Sequence, residues 1–247
     1  MRPEEITPYD HTRGKTEQVR EMFDNIAPAY DRLNRAMSLG QDRRWRRVAV
    51  RMVAADRPGR IVDIATGTGD FALSLAGAIS GARITGLDLS EGMIAIGREK
   101  VAAAGLSDRV ELVAGDCLAP PPEIGGADAV TVAFGVRNFA DLAAGYRAML
   151  GMLRPGGLLC VIELSTPSSA LVRPFYDIYT KGVIPAMGRL VSRDGRAYSY
   201  LPESIAAVPR GDAMLELMRR AGFTDTAFRT LTFGVCTIYT GRRPITL

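Results

Sequence analysis

The stretch Ile61-Val62-Asp63-Ile64-Ala65-Thr66-Gly67-Thr68-Gly69-Asp70 decides the fold. Its first five residues form a short apolar run broken by one carboxylate, the pattern of a buried strand. Thr66 to Gly69 is a turn, and residues 70–79 read as a helix. Glycine lets the backbone approach a ligand closely because no Cβ intervenes. Gly67-x-Gly69-x-x-Ala72 meets the relaxed dinucleotide fingerprint, and it does so between a strand and a helix, where that fingerprint has its mechanical sense. Residues 83–87 then form a second strand closed by Asp88, nineteen positions past Gly69. A carboxylate there can accept hydrogen bonds from both ribose hydroxyls of a nucleoside.

The alternation continues outward. Residues 110–114, 129–134 and 158–164 read as strands, and 91–104 and 141–153 as helices. Such α/β alternation builds a parallel sheet with helices on both faces. The tail offers a helix near 211–221 and two strand-like stretches, 226–231 and 235–240, able to pair as a hairpin at the sheet edge. Upstream, Val19, Met22, Phe23 and Ile26 mark a short amphipathic helix ending at Pro28. Trp45, Val48, Ala49, Met52 and Val53 form the stripe of a second, with Arg43, Arg44, Arg46, Arg47 and Arg51 largely off it. Residues 1–58 are thus expected as a helical extension capping the substrate side, and 59–247 as the sheet domain. Residues 165–205 break the alternation with Pro167, Pro174, Pro185 and Pro202 among Phe175, Tyr176, Tyr179, Tyr198 and Tyr200. So long a connection reads as a lid; the plain alternative is a helical hairpin that only packs.

Composition narrows the class. The chain has 247 residues, 31 Lys+Arg against 27 Asp+Glu, and 47% hydrophobic residues. This balance belongs to a globular protein and excludes disordered and collagen-like chains. Cys117, Cys160 and Cys236 are scattered, so neither a zinc site nor a disulfide framework is expected, and a reducing compartment fits. His11 is the only histidine and sits in a polar leader, where it reads as a solvated residue; no imidazole base is expected. No apolar run approaches the ~20 residues that span a bilayer, and the N-terminus shows no apolar signal region, which makes the cytoplasm the expected address.

NAD and S-adenosylmethionine both carry an adenosine, so the choice between them rests on Asp63. A buried carboxylate before the turn repels a pyrophosphate and favours an ammonium or sulfonium, a preference worth several kcal/mol in rough terms in a partly dry site. Its alternative duty is to tie the turn by hydrogen bonds. The candidate cofactor set is Asp63, Thr66, Gly67, Thr68 and Gly69 at the first turn and Asp88, Leu89 and Met93 after the second strand. Asp116 and Cys117 follow the third, and Ala133 and Phe134 end the fourth beside the expected methyl group. Asp116 suits the adenine amino group, with a backbone N–H beside it for a ring nitrogen; it reads equally as a plain turn residue.

Four further motifs carry a resemblance. Tyr30-Asp31-Arg32-Leu33-Asn34 with Ser38 and Trp45, Phe134-Gly135-Val136-Arg137-Asn138, Leu153-Arg154-Pro155-Gly156-Gly157 with Glu163-Leu164-Ser165, and Tyr198-Ser199-Tyr200-Leu201 with Glu203-Ser204 together resemble the signatures of the quinone-biosynthesis C-methyltransferases of UbiE/MenG type. The similarity runs from about Val19 to Gly241. Departures include Asp42 where the family pattern has His, Leu33 for Met, and Ala133 where some members carry Ser, which removes any side-chain hydrogen bond there.

The resemblance implies a Rossmann-like class I S-adenosylmethionine-dependent methyltransferase. Its sheet would be seven-stranded and mostly parallel, of order 3-2-1-4-5-7-6 with the last strand antiparallel. The implied reaction is methyl transfer from S-adenosylmethionine to a ring carbon of a polyprenylated quinol, with demethylmenaquinol favoured over a 2-methoxy-6-polyprenyl-1,4-benzoquinol. Arg137 would stabilise the quinolate or polarise a water, and Asn138 and Tyr30 would hydrogen-bond ring oxygens. Arg137 pairing with Asp141, and Asn138 capping the next helix, are the structural alternatives. Glu163 is a lesser candidate base. No metal and no nucleic acid is expected; the expected partners are the quinol, a membrane surface met by the 43–51 arginines and the 165–205 segment, and a second copy of the chain as a homodimer. The competing readings are a methyltransferase for another hydrophobic acceptor, an NAD(P)-dependent oxidoreductase, which Asp63 opposes, and a non-catalytic nucleotide-binding partner.

Overall fold

The computed structural model describes residues 3–10, 12–183 and 195–245. His11 and residues 184–194, Pro185 among them, lie outside the described residues. Seven strands form one sheet: β1 Arg60–Ile64, β2 Arg83–Asp88, β3 Val110–Ala114, β4 Ala127–Ala133, β5 Leu153–Leu164, β6 Thr224–Leu231 and β7 Cys236–Arg242. Their order is β3-β2-β1-β4-β5-β7-β6. The first five run parallel, and β7 is antiparallel to both neighbours. The β6–β7 hairpin forms at one sheet edge as expected, with β7 between β5 and the outer strand β6.

The helices are α1 Lys15–Ile26, α2 Tyr30–Met37, α3 Gln41–Ala54, α4 Asp70–Ala78, α5 Glu91–Ala103, α6 Leu142–Met152, α7 Arg173–Ile178, α8 Gly195–Ala207 and α9 Asp212–Arg220. Side chains alternate across a strand. Ile61 therefore faces the layer of α3, α4 and α5 with Trp45, Val53, Phe71 and Leu75, while Val62 and Ile64 face Leu142, Tyr146, Met149 and Met218 of α6 and α9. Asp63 shares the parity of Ile61, so its carboxylate is turned into a packed layer.

Two sequence expectations need correction. The first helix does not simply end at Pro28: a 3-10 turn, Ala27–Ala29, carries the chain into α2, and Pro28 sits at that turn's start, where its missing N–H removes no bond. Among the five arginines, Arg46 does not belong to the solvated face; it is buried, while Arg43, Arg44, Arg47 and Arg51 are exposed. Helices α1 and α2 pack through Met22, Ile26 and Leu33 onto Met93 of α5 and Tyr200 of α8. That packing suspends the N-terminal helices over the carboxyl ends of the parallel strands, the edge where such sheets hold ligands.

Candidate active site

Two clefts open along that edge. The first is walled by the ends of β1 to β4 and offers about 710 Å³ of space, part of it open to solvent. Gly67, Asp88, Leu89, Met93, Asp116, Cys117, Ala133 and Phe134 line it, as the sequence anticipates. Thr16, Val19, Arg20 and Phe23 of α1 complete it; the sequence offered no sign of these beyond the helix's apolar stripe.

Gly67 lies at φ +56°, a conformation that disfavours a side chain, and leaves the backbone open to the cleft. Asp88 accepts from the Gly67 N–H at 2.8 Å on one oxygen and from the Ser90 N–H at 2.9 Å on the other. Burial raises its pKa, and backbone donors at Ser90, Gly67 and Leu89 oppose the rise. An ionised carboxylate has about four lone-pair sites, so acceptor capacity remains for ribose hydroxyls. Asp116 accepts from the Leu118 N–H at 2.8 Å, so it is both a turn residue and part of the wall. Burial pushes the Cys117 thiol up to about 12, which keeps it neutral.

Asp63, Thr66, Thr68 and Gly69 do not line this cleft. Asp63 is 1% exposed and accepts from the Thr66 and Thr131 hydroxyls, each at 2.6 Å. Burial raises its pKa to about 6, with both hydroxyls pulling the other way. The carboxylate thus ties β1, β4 and the turn together, through hydroxyls rather than backbone N–H groups. Thr68 points at α2, donating to Asp31 at 2.6 Å, and Lys100 bridges Asp31, Thr68 and Asp70. Gly69 shapes the turn at φ +77° as the residue before α4.

The backbone is strained where β1 and β4 end. Ala65 (φ +50°) and Phe134 (φ +62°) both occupy the left-handed region, which costs about 1–3 kcal/mol for a side-chain-bearing residue. A Cβ on Gly135 would meet the Ala65 Cβ at 2.5 Å, so these two strand ends touch only because residue 135 has no side chain.

The second cleft is wider, about 1230 Å³, and largely apolar. Trp45 of α3, Leu164, Val172, Phe175, Leu201 and Ile205 line it. Segment 165–183 forms one wall, and the Tyr179 hydroxyl donates to the Met37 carbonyl at 3.1 Å, fastening that wall to α2. Tyr30 and Phe134 line both clefts, so the two spaces meet there.

Arg137 faces the second cleft, not the first. Its partner is Glu163 at 2.8 Å rather than Asp141. Parallel pairing of β4 with β5 sets Ala133 beside Ile162, which brings Glu163 level with the residues after β4. Glu163 also accepts from the Leu164 N–H at 2.7 Å and the Arg137 N–H at 3.2 Å, so it is held as a structural acid. The Arg137 Nε has no partner, and the same is true of Arg46 Nε. An unsatisfied buried donor costs about 1–3 kcal/mol, and a ligand oxygen in this cleft would relieve it. Asn138 lines the first cleft and accepts from the Tyr200 hydroxyl at 3.1 Å; Asp141, not Asn138, caps α6, accepting from the Ala144 N–H at 2.7 Å. The phenol of Tyr30 is raised by burial and lowered by the nearby Arg137.

A strained, glycine-floored nucleoside cleft opening onto an apolar one agrees with the sequence comparisons. Residues 11–243 match the model of the ubiE/COQ5 methyltransferase family. The chain belongs to that family. It is 47% identical over 240 residues to a demethylmenaquinone methyltransferase of Bacteroides fragilis, covering 97% of this chain and 98% of that one. It is 46% identical to a ubiquinone/menaquinone biosynthesis C-methyltransferase of Geobacter sulfurreducens, covering 96% and 93%. Among solved structures, the [4+2]-cyclase SpnF aligns over 94% of this chain and 97% of its own with a TM-score of 0.69 at 18% identity. A methyltransferase of Thermotoga maritima aligns over 91% and 99%, with a TM-score of 0.64 at 20% identity. Those two likenesses concern the fold alone, and a cyclase among them shows that this fold does not by itself dictate methyl transfer.

The methyltransferase is S-adenosylmethionine-dependent, and its first cleft fits that donor. Asp88 and Asp116 present acceptors, Gly67 exposes backbone, and among the described residues Arg20 is the one basic side chain lining it. Among the described residues, no group of three or more His, Cys, Asp or Glu is placed to hold a metal ion.

Proposed function

We propose that this methyltransferase methylates a ring carbon of a polyprenylated quinol, demethylmenaquinol before the benzoquinol of ubiquinone biosynthesis. One observation carries the reading: the donor cleft and a wide apolar cleft share Tyr30 and Phe134, and the apolar cleft holds two buried guanidinium groups with free Nε donors. A flat, apolar ring bearing two oxygens suits that chemistry. The names of relatives in Bacteroides fragilis and Porphyromonas gingivalis favour the naphthoquinol.

S-adenosylmethionine in the first cleft supplies an electrophilic methyl group. Asp88 and Asp116 would hold its ribose and adenine, Ala133 and Phe134 would stand near its methyl group, and the buried Asp63 carboxylate would add negative charge nearby. Arg137, its Nη1 tied to Glu163 and the Phe134 carbonyl, directs Nε–H at the ring oxygen and stabilises it as an oxyanion. Tyr30, at the junction, orients the ring so that its carbon lies in line, at roughly 3–3.5 Å from the methyl group. The N-terminal helices wall both clefts and segment 165–183 walls the second, which limits water beside the reacting groups and strengthens the charges there.

The quinol's tail must come from a bilayer. Leu39 and Phe175 line the apolar cleft yet are each 75% exposed, and Leu171, Ile178 and Phe233, next in sequence to its lining residues, are also exposed. Exposed apolar groups gathered at one mouth mark an interaction surface, and Arg43, Arg44 and Arg47 add positive charge for anionic lipid. Among the described residues, no helix is long and apolar enough to cross a membrane.

The test is to incubate the chain with isotopically labelled donor and either demethylmenaquinol or the benzoquinol in anionic vesicles. Label in menaquinol is the expected result; label in neither quinol refutes the reading. A faster benzoquinol reaction refutes the preference between them.

A further inference from the structure

Methylation at carbon needs a proton acceptor, because a quinol ring carbon is a weak nucleophile until a neighbouring hydroxyl has ionised. The residues around the apolar cleft leave few choices. The chain's one histidine, His11, lies outside the described residues. Burial raises the pKa of Tyr30, Tyr176 and Tyr179, so these phenols stay protonated at neutral pH. Glu163 lies behind Arg137, off the cleft wall, with its oxygens engaged. Of the described residues that line the cleft, only Asp42 carries a carboxylate.

Asp42 opens α3 and is buried. One oxygen accepts from the Ser38 hydroxyl at 2.8 Å and the other from Arg46 Nη1 at 2.7 Å. Each oxygen therefore retains acceptor capacity. Arg46 holds the carboxylate in place and is itself steadied by Asp70 at 3.6 Å. Its guanidinium lies 5.7 Å from the centre of the Phe134 ring, and Phe134 is one of the two residues common to both clefts. The pair is thus fixed beside the junction where the methyl group would cross, and Arg46 Nε is buried without a partner.

We infer that Asp42 is the proton acceptor for the quinol, with the Arg46 Nε–H joining that of Arg137 in holding the oxyanion it creates; this rests on the quinol reading above. The hydroxyl proton passes to an Asp42 oxygen, and the electron pair stays on the ring oxygen and spreads into the ring. The ring carbon then forms its bond to the methyl group as the sulfur–methyl bond breaks. Loss of the carbon's own hydrogen to water restores aromaticity while Asp42 returns its proton to the oxygen. One proton is released per methyl transferred, and Asp42 ends as it began. Arg46 on its own helix contacts it, Asp70 of α4 contacts Arg46, and the other charged and titratable groups lining the same cleft are Tyr30 from α2, Arg137 after β4, and Tyr176 and Tyr179.

The test compares the full wild-type chain with Asp42→Asn and Asp42→His, measuring kcat and KM for the quinol across pH and donor affinity by calorimetry. Expected are a fall of about 100-fold or more in kcat for the Asn variant with donor affinity within about twofold of wild type. The His variant should regain at least about tenfold over Asn, with the acid limb of its kcat profile moved up toward about 6.5. A neutral imidazole cannot neutralise Arg46, so a purely structural Asp42 would leave both variants equally impaired, with no moved limb; that result overturns the inference. An Asn variant within about threefold of wild-type kcat overturns it as well. Should the Asn variant not fold, the His profile decides alone. A wild-type chain that methylates no quinol would instead strike down the proposed function, and this inference with it.

Discussion

Replacing Asp63 with Asn should change how the stability of the fold depends on pH. The carboxyl is buried between two hydroxyls and titrates near 6 in the folded chain, against an ordinary value of 3.8. Below pH ~4 it is neutral folded or unfolded. Between ~4 and ~6 the unfolded chain ionises it freely and the folded chain does not. Above ~6 both states are ionised, and the fold bears the full cost of the buried charge. Stability from this group is therefore greatest at low pH and lost as pH rises through the folded pKa, by about 3 kcal/mol in all. Asn cannot titrate. The wild-type stability minus that of Asp63→Asn should fall by about 3 kcal/mol between pH ~4 and ~7, which is about 6–12 °C in Tm for a chain near this size. Thermal and urea unfolding of the two proteins across that window give the difference directly. Parallel curves, or a difference that grows with pH, would refute the buried-latch account. The same pair tests the charge beneath the donor. Above pH ~7, Asp63→Asn should lose more affinity for the sulfonium donor than for its sulfur-neutral product, and a matched loss would remove Asp63 from donor selection.

Gly135→Ala should destabilise the chain by about 1–3 kcal/mol and weaken donor binding, because the added Cβ would lie 2.5 Å from that of Ala65; an unchanged Tm would show that the strand ends can spread freely. Arg137→Ala should cut turnover much more than donor affinity, and it should also cost about 3–5 kcal/mol of stability by leaving Glu163 buried without its partner. Adding Glu163→Gln to it should restore much of the melting temperature but not turnover, so recovered turnover would deny Arg137 a catalytic role. Asp88→Ala should weaken donor affinity at least about tenfold by calorimetry; an unchanged affinity would reverse its ribose assignment. Phe175→Ser with Phe233→Ser should reduce sedimentation with anionic vesicles while leaving donor affinity alone, and equal sedimentation would place the membrane face elsewhere.

The sheet was legible because each strand from β1 to β5 announces itself as an apolar run between turn residues. That residues 88, 89, 93, 116, 117, 133 and 134 line one cleft is legible too, since most of them come next at each strand's carboxyl end. Asp63 was harder. Its place in the run showed burial, but its contact with Thr131 depends on pairing with β4, 68 residues away. The Arg137–Glu163 pair likewise requires the β4–β5 register, and without it Asp141, four positions on, was the nearer acid. Arg46 reads as solvated because it belongs to a run of arginines, although its i, i+4 relation to Asp42 is visible in the sequence. Helix α2 was missed because Pro28 reads as a stop, and only the 3-10 turn shows how the chain continues past it.

Phe134 ends β4 with a left-handed main chain, and its ring packs against Trp45 and the Arg46 guanidinium, both of which line the apolar cleft. A change of aromatic shape at 134 that keeps the same backbone bend would therefore act on the room of that cleft, a dial for which acceptor fits.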